Sequence, residues 1–334
     1  MQLTDSGILI LNKASGMTSQ HAVTAVKRLL GVKKAGHSGI LDPQVTGVLP
    51  IFLGRATRLA EYASDRRKCY EAVLEFGTAT DTQDATGDVV ARADPAGLDV
   101  TSIRNAFSRF HGVLLQKPPA YSALKIAGKR AYDLARAGQA VDLQPRPITV
   151  FELSIKDVHL YPGNYFVRFS IECGKGTYIR TICHDVGTAV GVPAHMRSLV
   201  RTCSGPFSLA EAHSLEEVAR EGWNLVLAPD AAVTHFPALH LTEEQMSAVQ
   251  HGQLVSCLVD DVDLVGDSGQ DRTAFAKAVL EPDRDSRTRA GLNALGQLVR
   301  MYAPTGCLCA LYEIVEGYED RLVLRAKKVF CDAG

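Results

Sequence analysis

The sequence of 334 residues has neither an excess of one charge nor a long apolar run. Its 36 lysines and arginines oppose 37 aspartates and glutamates, so bulk charge gives little reason to expect a nucleic-acid partner. No apolar stretch reaches the roughly 18 residues that a membrane-spanning helix needs. The short apolar run at the N-terminus has no basic segment before it, unlike a secretory signal. We therefore expect a soluble, cytoplasmic protein without a membrane partner.

The eight cysteines also lack a functional pattern. None forms a C-x-x-C pair, and no group of cysteine and histidine has zinc-ligand spacing, so the sequence predicts no metal site. Scattered cysteines in a protein of this kind are typically reduced and buried. We expect free, mostly buried thiols.

What the chain does contain is enough apolar sequence, 46% of its residues, for a sizeable core. Its length favours about two domains. Residues 1–225 carry 26 Lys and Arg against 21 Asp and Glu, whereas residues 226–334 carry 10 against 16. A basic first part beside an acidic second part is a weak indication that the first part binds a polyanion.

Apolar periodicity predicts long strands in the first part of the chain. KCYEAVLEFG (68–77) alternates cleanly, and the segments 148–160 and 165–173 would form a hairpin. Helical spacing follows Ser19 and Thr177, which we predict to be helix caps. We also predict a loop over the polar segment 78–88 and a helix around 101–112. Antiparallel strands mixed with irregularly placed helices favour an α+β fold.

The second part of the chain reads differently. Residues 259–290 are acidic and rich in turn formers, which predicts a long loop or insertion. Short strand candidates on either side of it predict a small all-β unit, which we expect to be a compact barrel. We divide the chain into domains at 1–228 and 229–334.

One carboxylate in a charge-poor segment, GHSGILDPQVTG (36–47), is the first candidate functional group. Asp42 precedes a proline, and Asp-Pro commonly starts a turn, which is the favoured interpretation of this residue alone. The loop glycines, His37 and the strand that follows favour a functional group instead, because catalytic residues often lie on loops held by rigid strands. Both interpretations stay open at this level.

Other candidates are equally ambiguous when taken singly. Arg180 falls in the first turn of a predicted helix, where a cation opposes the helix dipole, so it is either a surface arginine or the partner of a distant carboxylate. Lys175 lies between two glycines, but the upstream glycine of a P-loop is replaced by Phe169. Tyr70 has the pattern of a core tyrosine. Lys125, interleaved with tyrosines, suits contact with RNA.

Seven segments follow one another as a set of motifs: ILILNKASGMTS (8–19), AGHSGILDPQVTGVLPIFLGRATRL (35–59), KCYEAVLEFGTATDTQDATGD (68–88), QKPPAYSALKIAGKRAYDLARAG (116–138), RPITVFEL (146–153), CGKGTYIRTICHDVG (173–187) and AHMRSLVRT (194–202). Taken together, these motifs resemble those of the bacterial tRNA pseudouridine-55 synthase family, TruB. Two departures from the family pattern are Ala14 after Lys13 and Ser38 after His37. The segment after about residue 230 is similar, more weakly, to the small β-barrel RNA-binding module called PUA.

The resemblance implies a pseudouridine-synthase fold: a mixed, largely antiparallel sheet flanked by helices, followed by a PUA-like barrel. It implies isomerisation of uridine to pseudouridine at position 55, in the T-loop of tRNA. The family uses neither a cofactor nor a metal. The expected partner is tRNA, and we expect a monomer with no obligate protein partner.

The resemblance also assigns residues. Asp42 matches the catalytic aspartate, which attacks C1′, attacks C6 or abstracts the 2′ proton; these three routes stay open. Arg180 matches the arginine that pairs with this carboxylate, and Tyr70 the tyrosine that stacks on the flipped base. The remaining matches are residues that contact the substrate or support the site: His37, Tyr178, Leu199, Lys13, Asp84, Lys125 and Lys175.

Three alternatives belong beside this hypothesis. An RNA-guided pseudouridine synthase shares the aspartate signature. An RNA-binding or tRNA-folding protein with a silent site would share the binding surface. A phosphatase or glycosidase with an aspartate nucleophile is the most distant, because neither a metal-binding carboxylate cluster nor a second paired acid is evident.

Overall fold

A computed structural model describes residues 5–330 apart from Asp65, Ala127, 264–294 and 319–320. Its larger sheet has the strand order β14-β1-β3-β12-β4-β11-β10-β7, with β2 on β3 and β13 on β12. Two short hairpins, β5-β6 and β8-β9, lie outside it. In chain order these strands are β1 (Gly7–Lys13), β2 (Ala35–His37), β3 (Thr46–Leu53), β4 (Lys68–Phe76), β5 (Thr78–Thr80), β6 (Val89–Arg92), β7 (Gly112–Gln116), β8 (Lys125–Ile126), β9 (Lys129–Arg130), β10 (Arg146–Tyr161), β11 (Asn164–Cys173), β12 (Ala194–Ser204), β13 (Phe207–Ser208) and β14 (Val226–Leu227).

The pairing of this sheet matches the predicted fold class. Its pairs are antiparallel except for β12 on β3, which is parallel. The predicted hairpin is present as β10-β11. Strand β4 alternates as predicted, with Tyr70, Ala72, Leu74 and Phe76 buried on one face. The prediction of a loop over 78–88 is wrong at its start, because β5 pairs there with β6.

Helices cover parts of the sheet and enclose its core. Val23 and Val26 of α1 and Ile182 and Val186 of α5 are buried in one cluster with the apolar face of β4. The helix predicted over 101–112 ends earlier, and β7 begins where it was expected to finish. The helices are α1 (Ser19–Leu29), α2 (Ala60–Ser64), α3 (Val100–Phe107), α4 (Ala131–Arg136), α5 (Ile179–Val190), α6 (Leu215–Glu221) and α7 (Glu243–Gln250).

Both predicted helix caps are wrong by one residue. Thr18, not Ser19, is the N-cap of α1, and its side chain accepts a hydrogen bond from the backbone of His21. Tyr178, not Thr177, occupies the N-cap of α5, while the Thr177 hydroxyl donates to the carbonyl of Gly174. The Ser19 hydroxyl instead bonds to the distant Leu41 backbone, and the Thr177 hydroxyl to a carbonyl three residues earlier, so neither caps its helix.

The second sheet is a curled half-barrel with the order β16-β20-β19-β18-β15-β17. It contains the predicted C-terminal strands and two short ones that the sequence does not predict, β15 and β17. Of the predicted insertion, residues 259–263 form a short 3-10 turn and β17, and the rest lies outside the described residues. The strands are β15 (Ala238–His240), β16 (Val255–Leu258), β17 (Val262–Asp263), β18 (Leu298–Tyr302), β19 (Leu308–Tyr318) and β20 (Arg321–Val329).

The two sheets share an apolar cluster. Ile8 and Phe52 of the first sheet pack in it with Leu311 of the second. Polar contacts border it: Arg55 donates to the carbonyl of Phe330 at 2.6 Å, and Arg58 donates to that of Val329 at 2.6 Å. The second sheet is thereby fixed to the back of strands β1 and β3. In the described part of the chain, no helix has the length and apolarity needed to cross a membrane.

The expectation of free thiols is wrong for one pair. Cys69 of β4 and Cys203 of β12 lie opposite each other in the antiparallel register and form a disulfide. Three other thiols are free and buried as expected: Cys173, Cys183 and Cys257. Spacing alone did not reveal the disulfide because its cysteines are 134 residues apart in sequence.

Candidate active site

Asp42 lies in the loop between β2 and β3, on the turn that its Asp-Pro pair predicts. The backbone N–H of Val45 donates to the Asp42 carbonyl at 3.0 Å, which closes the turn around Pro43. The Asp42 side chain is 42% exposed. The residue is therefore both a turn former and an accessible carboxylate, so the two interpretations of the sequence are compatible.

A second segment, residues 13–19, holds this loop in place. The Ser19 hydroxyl donates to the carbonyl of Leu41 at 3.1 Å and accepts from its N–H at 2.9 Å. The Lys13 ammonium and the Gly16 N–H both donate to the carbonyl of Pro43, at 3.0 and 2.9 Å. The residues on either side of Asp42 are thus anchored by buried polar groups, and the carboxylate is left to face outward.

Lys13 is fully buried by this arrangement. Its ammonium also donates to the carbonyls of Ala14 and Met17, so all three N–H groups have acceptors. Burial lowers its pKa to about 8; the charge of Asp42 acts in the opposite direction, and that of Arg201 adds to the lowering. In this structure Lys13 supports the loop from inside.

Arg180 connects Asp42 to the loops on the other side of the site. Its guanidinium lies 3.6 Å from a carboxylate oxygen of Asp42 and 3.4 Å from one of Asp84. It also donates to the carbonyl of Tyr121 at 2.5 Å. Only 7% of the arginine side chain is exposed. The cation that is unfavourable at the start of α5 is thus paired with carboxylates from two distant segments, as one of the two interpretations of Arg180 requires.

Asp84 is itself held firmly. Its Oδ1 accepts from the N–H and the hydroxyl of Thr86, at 2.9 and 2.5 Å, and from the hydroxyl of Thr82 at 2.9 Å. Its other oxygen is left for Arg180. A carboxylate fixed in this way fixes the guanidinium, which in turn orients the face it presents to Asp42.

Gln116 is a site residue that sequence reasoning missed. Its side-chain amide accepts from the N–H of Tyr178 at 2.9 Å and donates to the carbonyl of Tyr178 at 3.0 Å. Gln116 is buried at the end of β7, and it fixes the backbone two residues before Arg180. The sequence feature that could have identified it is its position at the start of the Pro-rich segment QKPPAYSALK. The Tyr178 ring is half-buried, and burial raises its pKa.

Tyr70 lies deeper, on the buried face of β4, and is 8% exposed. It lies opposite Arg201 of β12, with Leu199 two residues earlier on that strand and buried in the same core cluster. Burial raises the pKa of the Tyr70 phenol, and the Arg201 guanidinium opposes that rise. Arg201 is fully buried and was also missed. The signal was a charge two residues from Leu199, on the apolar face of a strand.

The remaining predicted residues are more dispersed. His37 is half-buried on β2, and its pKa is lowered by burial and by the charge of Arg201. Lys125 is exposed on the β8-β9 hairpin, and Lys175 is exposed in the turn before α5. The structure therefore gathers Asp42, Arg180, Asp84 and Tyr178 around one opening, with Tyr70, Leu199 and Lys13 beneath or beside it, and leaves the two lysines on the surface.

Family models match this part of the chain. A model for the N-terminal domain of TruB family pseudouridylate synthases matches residues 27–179. A second, for the C-terminal domain of tRNA pseudouridylate synthase B, matches residues 180–228.

Curated relatives extend the match. The tRNA pseudouridine synthase B of Symbiobacterium thermophilum is 48% identical, over 74% of this chain and 82% of its own length. That of Geobacillus kaustophilus is 42% identical, over 75% of this chain and 90% of its own length. That of Syntrophotalea carbinolica is 38% identical, over 87% of this chain and 97% of its own length.

Among solved structures, a chain in the crystal structure of a Cbf5–Nop10–Gar1 complex aligns with a TM-score of 0.68. It is 25% identical, and the alignment covers 98% of this chain and 85% of that one. The architecture is therefore the α+β fold of the pseudouridine synthases, with a curled second sheet. The sequence relatives are more specific: the chain belongs to the TruB family of pseudouridylate synthases.

Proposed function

We propose that this chain isomerises uridine to pseudouridine in tRNA, at position 55 of the T-loop, with Asp42 as the catalytic carboxylate. The observation that carries the proposal is an accessible carboxylate on a fixed turn, 3.6 Å from a buried arginine that is itself fixed by Asp84. The relatives that span most of the chain bear the name tRNA pseudouridine synthase B. The enzyme class and the substrate in that name agree with this geometry.

The reaction breaks the C1′–N1 bond, turns the uracil and joins C5 to C1′, so the product is an isomer of the substrate. The proton on C5 is lost and N1 gains one, which leaves the balance of atoms unchanged. The target base lies inside a folded loop and has to be flipped out, at an unstacking cost of a few kcal/mol. An ionised carboxylate in a fixed position suits attack on C1′, attack on C6 or removal of the 2′ proton.

The surrounding residues have complementary roles in this proposal. Arg180, whose guanidinium lies 3.6 Å from the Asp42 carboxylate, orients that carboxylate. The flipped uracil stacks on Tyr70 and lies against Tyr178 and Leu199, which offer one aromatic surface, one half-buried ring and one aliphatic wall. His37, beside the Asp42 loop, contacts the rearranged T-loop.

Binding of the rest of the tRNA involves a wider surface. Lys125 and Lys175 are exposed and contact phosphates, to which their charge suits them. The segment 229–334, with its curled sheet, serves as a PUA-like RNA-binding domain after the catalytic domain of 1–228. The enzyme acts in the cytoplasm as a monomer, and uses neither a cofactor nor an obligate protein partner.

An RNA-guided enzyme is the second candidate, because the solved structures that share the fold include an archaeal box H/ACA sRNP Nop10–Cbf5 complex. The 48% identity to a tRNA pseudouridine synthase B favours the stand-alone enzyme. Purified protein and an unmodified T-stem-loop transcript distinguish the two. We expect pseudouridine at position 55 without guide RNA; a transcript left unmodified would contradict the proposal.

Asp42→Asn tests the assignment of the carboxylate, because it keeps the shape of the side chain and removes its charge. We expect the rate of pseudouridine formation to fall by at least about 10⁴-fold. The dissociation constant for tRNA should change by less than about threefold, since the rest of the surface is intact. Asp142→Asn is the matched control, an exposed aspartate paired with Lys117, and should be fully active. Isomerisation retained in Asp42→Asn would refute the role of Asp42.

A wild-type protein that binds tRNA with high affinity yet forms no pseudouridine would instead identify a binding protein with a silent site. Filter binding and pseudouridine mapping on the same preparation separate these outcomes. Binding and chemistry are thus measured independently.

A further inference from the structure

Arg201 is a buried cation that the proposed reaction does not yet use. It is 0% exposed, and its Nε donates to the carbonyl of Val48 at 2.7 Å. A terminal nitrogen donates to the carbonyl of Gly39 at 3.3 Å. The guanidinium also hydrogen-bonds the phenol of Tyr70. A single side chain thereby contacts the glycine loop before Asp42, the strand after it and the proposed stacking tyrosine.

The fold makes room for this side chain and its strand at two glycines. A Cβ on Gly39 would lie 3.4 Å from the guanidinium, and one on Gly47 would lie 2.2 Å from the Arg201 carbonyl oxygen. Both glycines have positive φ, +85° and +102°. They flank Asp42 within the GHSG-to-TG segment. The loop that presents the carboxylate therefore has a backbone shape adapted to the arginine below it.

Burial of a charge without compensation is costly, so a buried arginine usually has a specific task. Here the acceptors are two carbonyls and a phenol, and each belongs to a different part of the site. Arginine suits this task because its planar fork carries five N–H donors in a fixed geometry.

We propose that Arg201 is a positioning residue for pseudouridine formation, which locks the Tyr70 phenol and the Asp42 loop to each other. This inference rests on the proposed function. Arginine can only donate, so the phenol oxygen of Tyr70 has to accept from it. The phenol keeps its own proton, which is then available to an acceptor other than Arg201.

The groups that act electrostatically on Tyr70 come from three elements. Arg201 on β12 favours the ionised phenol, whereas Cys173 on β11 and Asp42 on the loop oppose it. Arg201 is the only cation of the three. Its removal should therefore shift the titration of Tyr70 further upward, which a residue with a merely structural role would not do.

The experiment compares Arg201→Met and Arg201→Lys with wild type. Single-turnover rates with saturating T-stem-loop transcript measure chemistry, and filter binding measures affinity. Absorbance at 295 nm, as the difference between each protein and its Tyr70→Phe partner, measures the titration of Tyr70. Arg197→Met is the control, because Arg197 lies on the same strand but is half-exposed and paired with Glu75 at 3.5 Å.

For Arg201→Met we expect the single-turnover rate to fall by up to about 100-fold, because a displacement of about 1 Å has that effect on an aligned site. The dissociation constant should stay within about threefold, and the Tyr70 titration should move to higher pH. Arg201→Lys keeps the charge but not the fork. It should restore the titration and recover the rate only in part, to about 10-fold below wild type. Arg197→Met should match wild type in every measurement.

A wild-type rate in Arg201→Lys, or in folded Arg201→Met with an unchanged Tyr70 titration, would overturn the inference. If Arg201→Met does not fold, Arg201→Lys decides alone by its rate. The contact between Arg201 and Tyr70 is tested by titration even if wild type forms no pseudouridine. Failure of the proposed function, which the wild-type rate reports, is thereby separable from failure of this inference.

Discussion

The site has two halves that are built by different means. We call one the floor, made of Gly39, Val48, Tyr70 and Arg201, in which the arginine bridges neighbouring strands of the large sheet. We call the other the wall, in which Arg180 and the residues that support it come from loops, the end of β7 and a helix start. The residues of the wall are Asp84, Gln116, Tyr121, Tyr178 and Arg180.

Both halves contain a buried arginine, and the comparison explains their different partners. Arg180 lies at the opening and pairs with two carboxylates, one of them 42% exposed. Arg201 lies below the opening and bonds to backbone carbonyls. Strands cannot move independently, whereas loops can shift without breaking a ladder. We therefore expect damage to the floor to reduce stability, and damage to the wall to reduce activity with a smaller loss of stability.

The largest expected effect is that of Gly47→Ala, at the residue before Val48 of the floor and against the backbone of Arg201. The new Cβ would lie 2.2 Å from the Arg201 carbonyl oxygen, at a residue whose φ is +102°. Because neither backbone can yield without breaking the pairing of β3 and β12, we expect the free energy of unfolding to fall by about 3–5 kcal/mol. Urea denaturation measures it.

Gly191→Ala is the control for backbone strain alone. Gly191 also has positive φ, +75°, but its Cβ would have nothing within 4 Å. It should cost about 1–2 kcal/mol. Equal losses in the two variants would mean that the close approach to Arg201 contributes nothing.

The wall is tested by Gln116→Ala. This change removes both hydrogen bonds to the backbone of Tyr178, which fix the start of the helix that carries Arg180. We expect a loss of stability of about 1–3 kcal/mol and a rate up to about 100-fold lower, since the Asp42–Arg180 pair loses its alignment. Thermal denaturation and single-turnover assays measure the two effects.

Gln245→Ala is a matched control in the second sheet's region. Its amide also bonds a backbone N–H and a carbonyl, those of Thr242 and Ser256, at 3.0 and 3.2 Å. The same kind of contact is lost there without any link to Asp42. If both variants retained full activity, the wall would not control the chemistry.

The two halves also differ in how far the sequence could predict them. Alternation placed Tyr70 on a buried face, and Asp-Pro predicted the turn at Asp42, because both signals are local. The link between Asp42 and Arg180 came from the resemblance, since no local rule joins residues 138 positions apart. The sequence did not identify Arg201 and Gln116 as site residues, because their importance depends on which carbonyls and amides the fold brings near them.

The helix caps illustrate the same limit. Ser19 and Thr177 have the side chains of N-caps, yet their hydroxyls bond to Leu41 and Gly174. A tertiary partner displaced Ser19 from its cap, whereas a local turn contact displaced Thr177, and each cap moved by one residue. Lys13 could be assigned either to RNA contact or to support from sequence, and its complete burial is a property of the fold alone. Local sequence signals thus predicted the helices and strands, whereas the contacts that support the site are known only from the structure.

The smallest expected effect is the pH dependence caused by Lys13, which lies beneath the Asp42 loop. The Lys13 ammonium has three acceptor carbonyls, including that of Pro43, and a pKa of about 8 against an ordinary 10.5. As pH rises through about 8, the folded protein loses this proton; the neutral amine has only two N–H groups for three carbonyls, and the charge beside Asp42 disappears. We expect the single-turnover rate to fall by a few-fold between pH 7.5 and 9.

Stability should respond to Lys13 in the opposite direction. Since the folded-state pKa lies below the unfolded value, the unfolded chain binds more protons between about pH 8 and 10.5. The cost of the buried ammonium is complete below pH 8 and is relieved across that window, so this group raises the free energy of unfolding there as pH increases. Lys13→Met should abolish both trends, whereas the exposed control Lys125→Met should keep them. A rate that falls in step with stability would instead indicate alkaline unfolding, and would remove Lys13 from the support of the Asp42 loop.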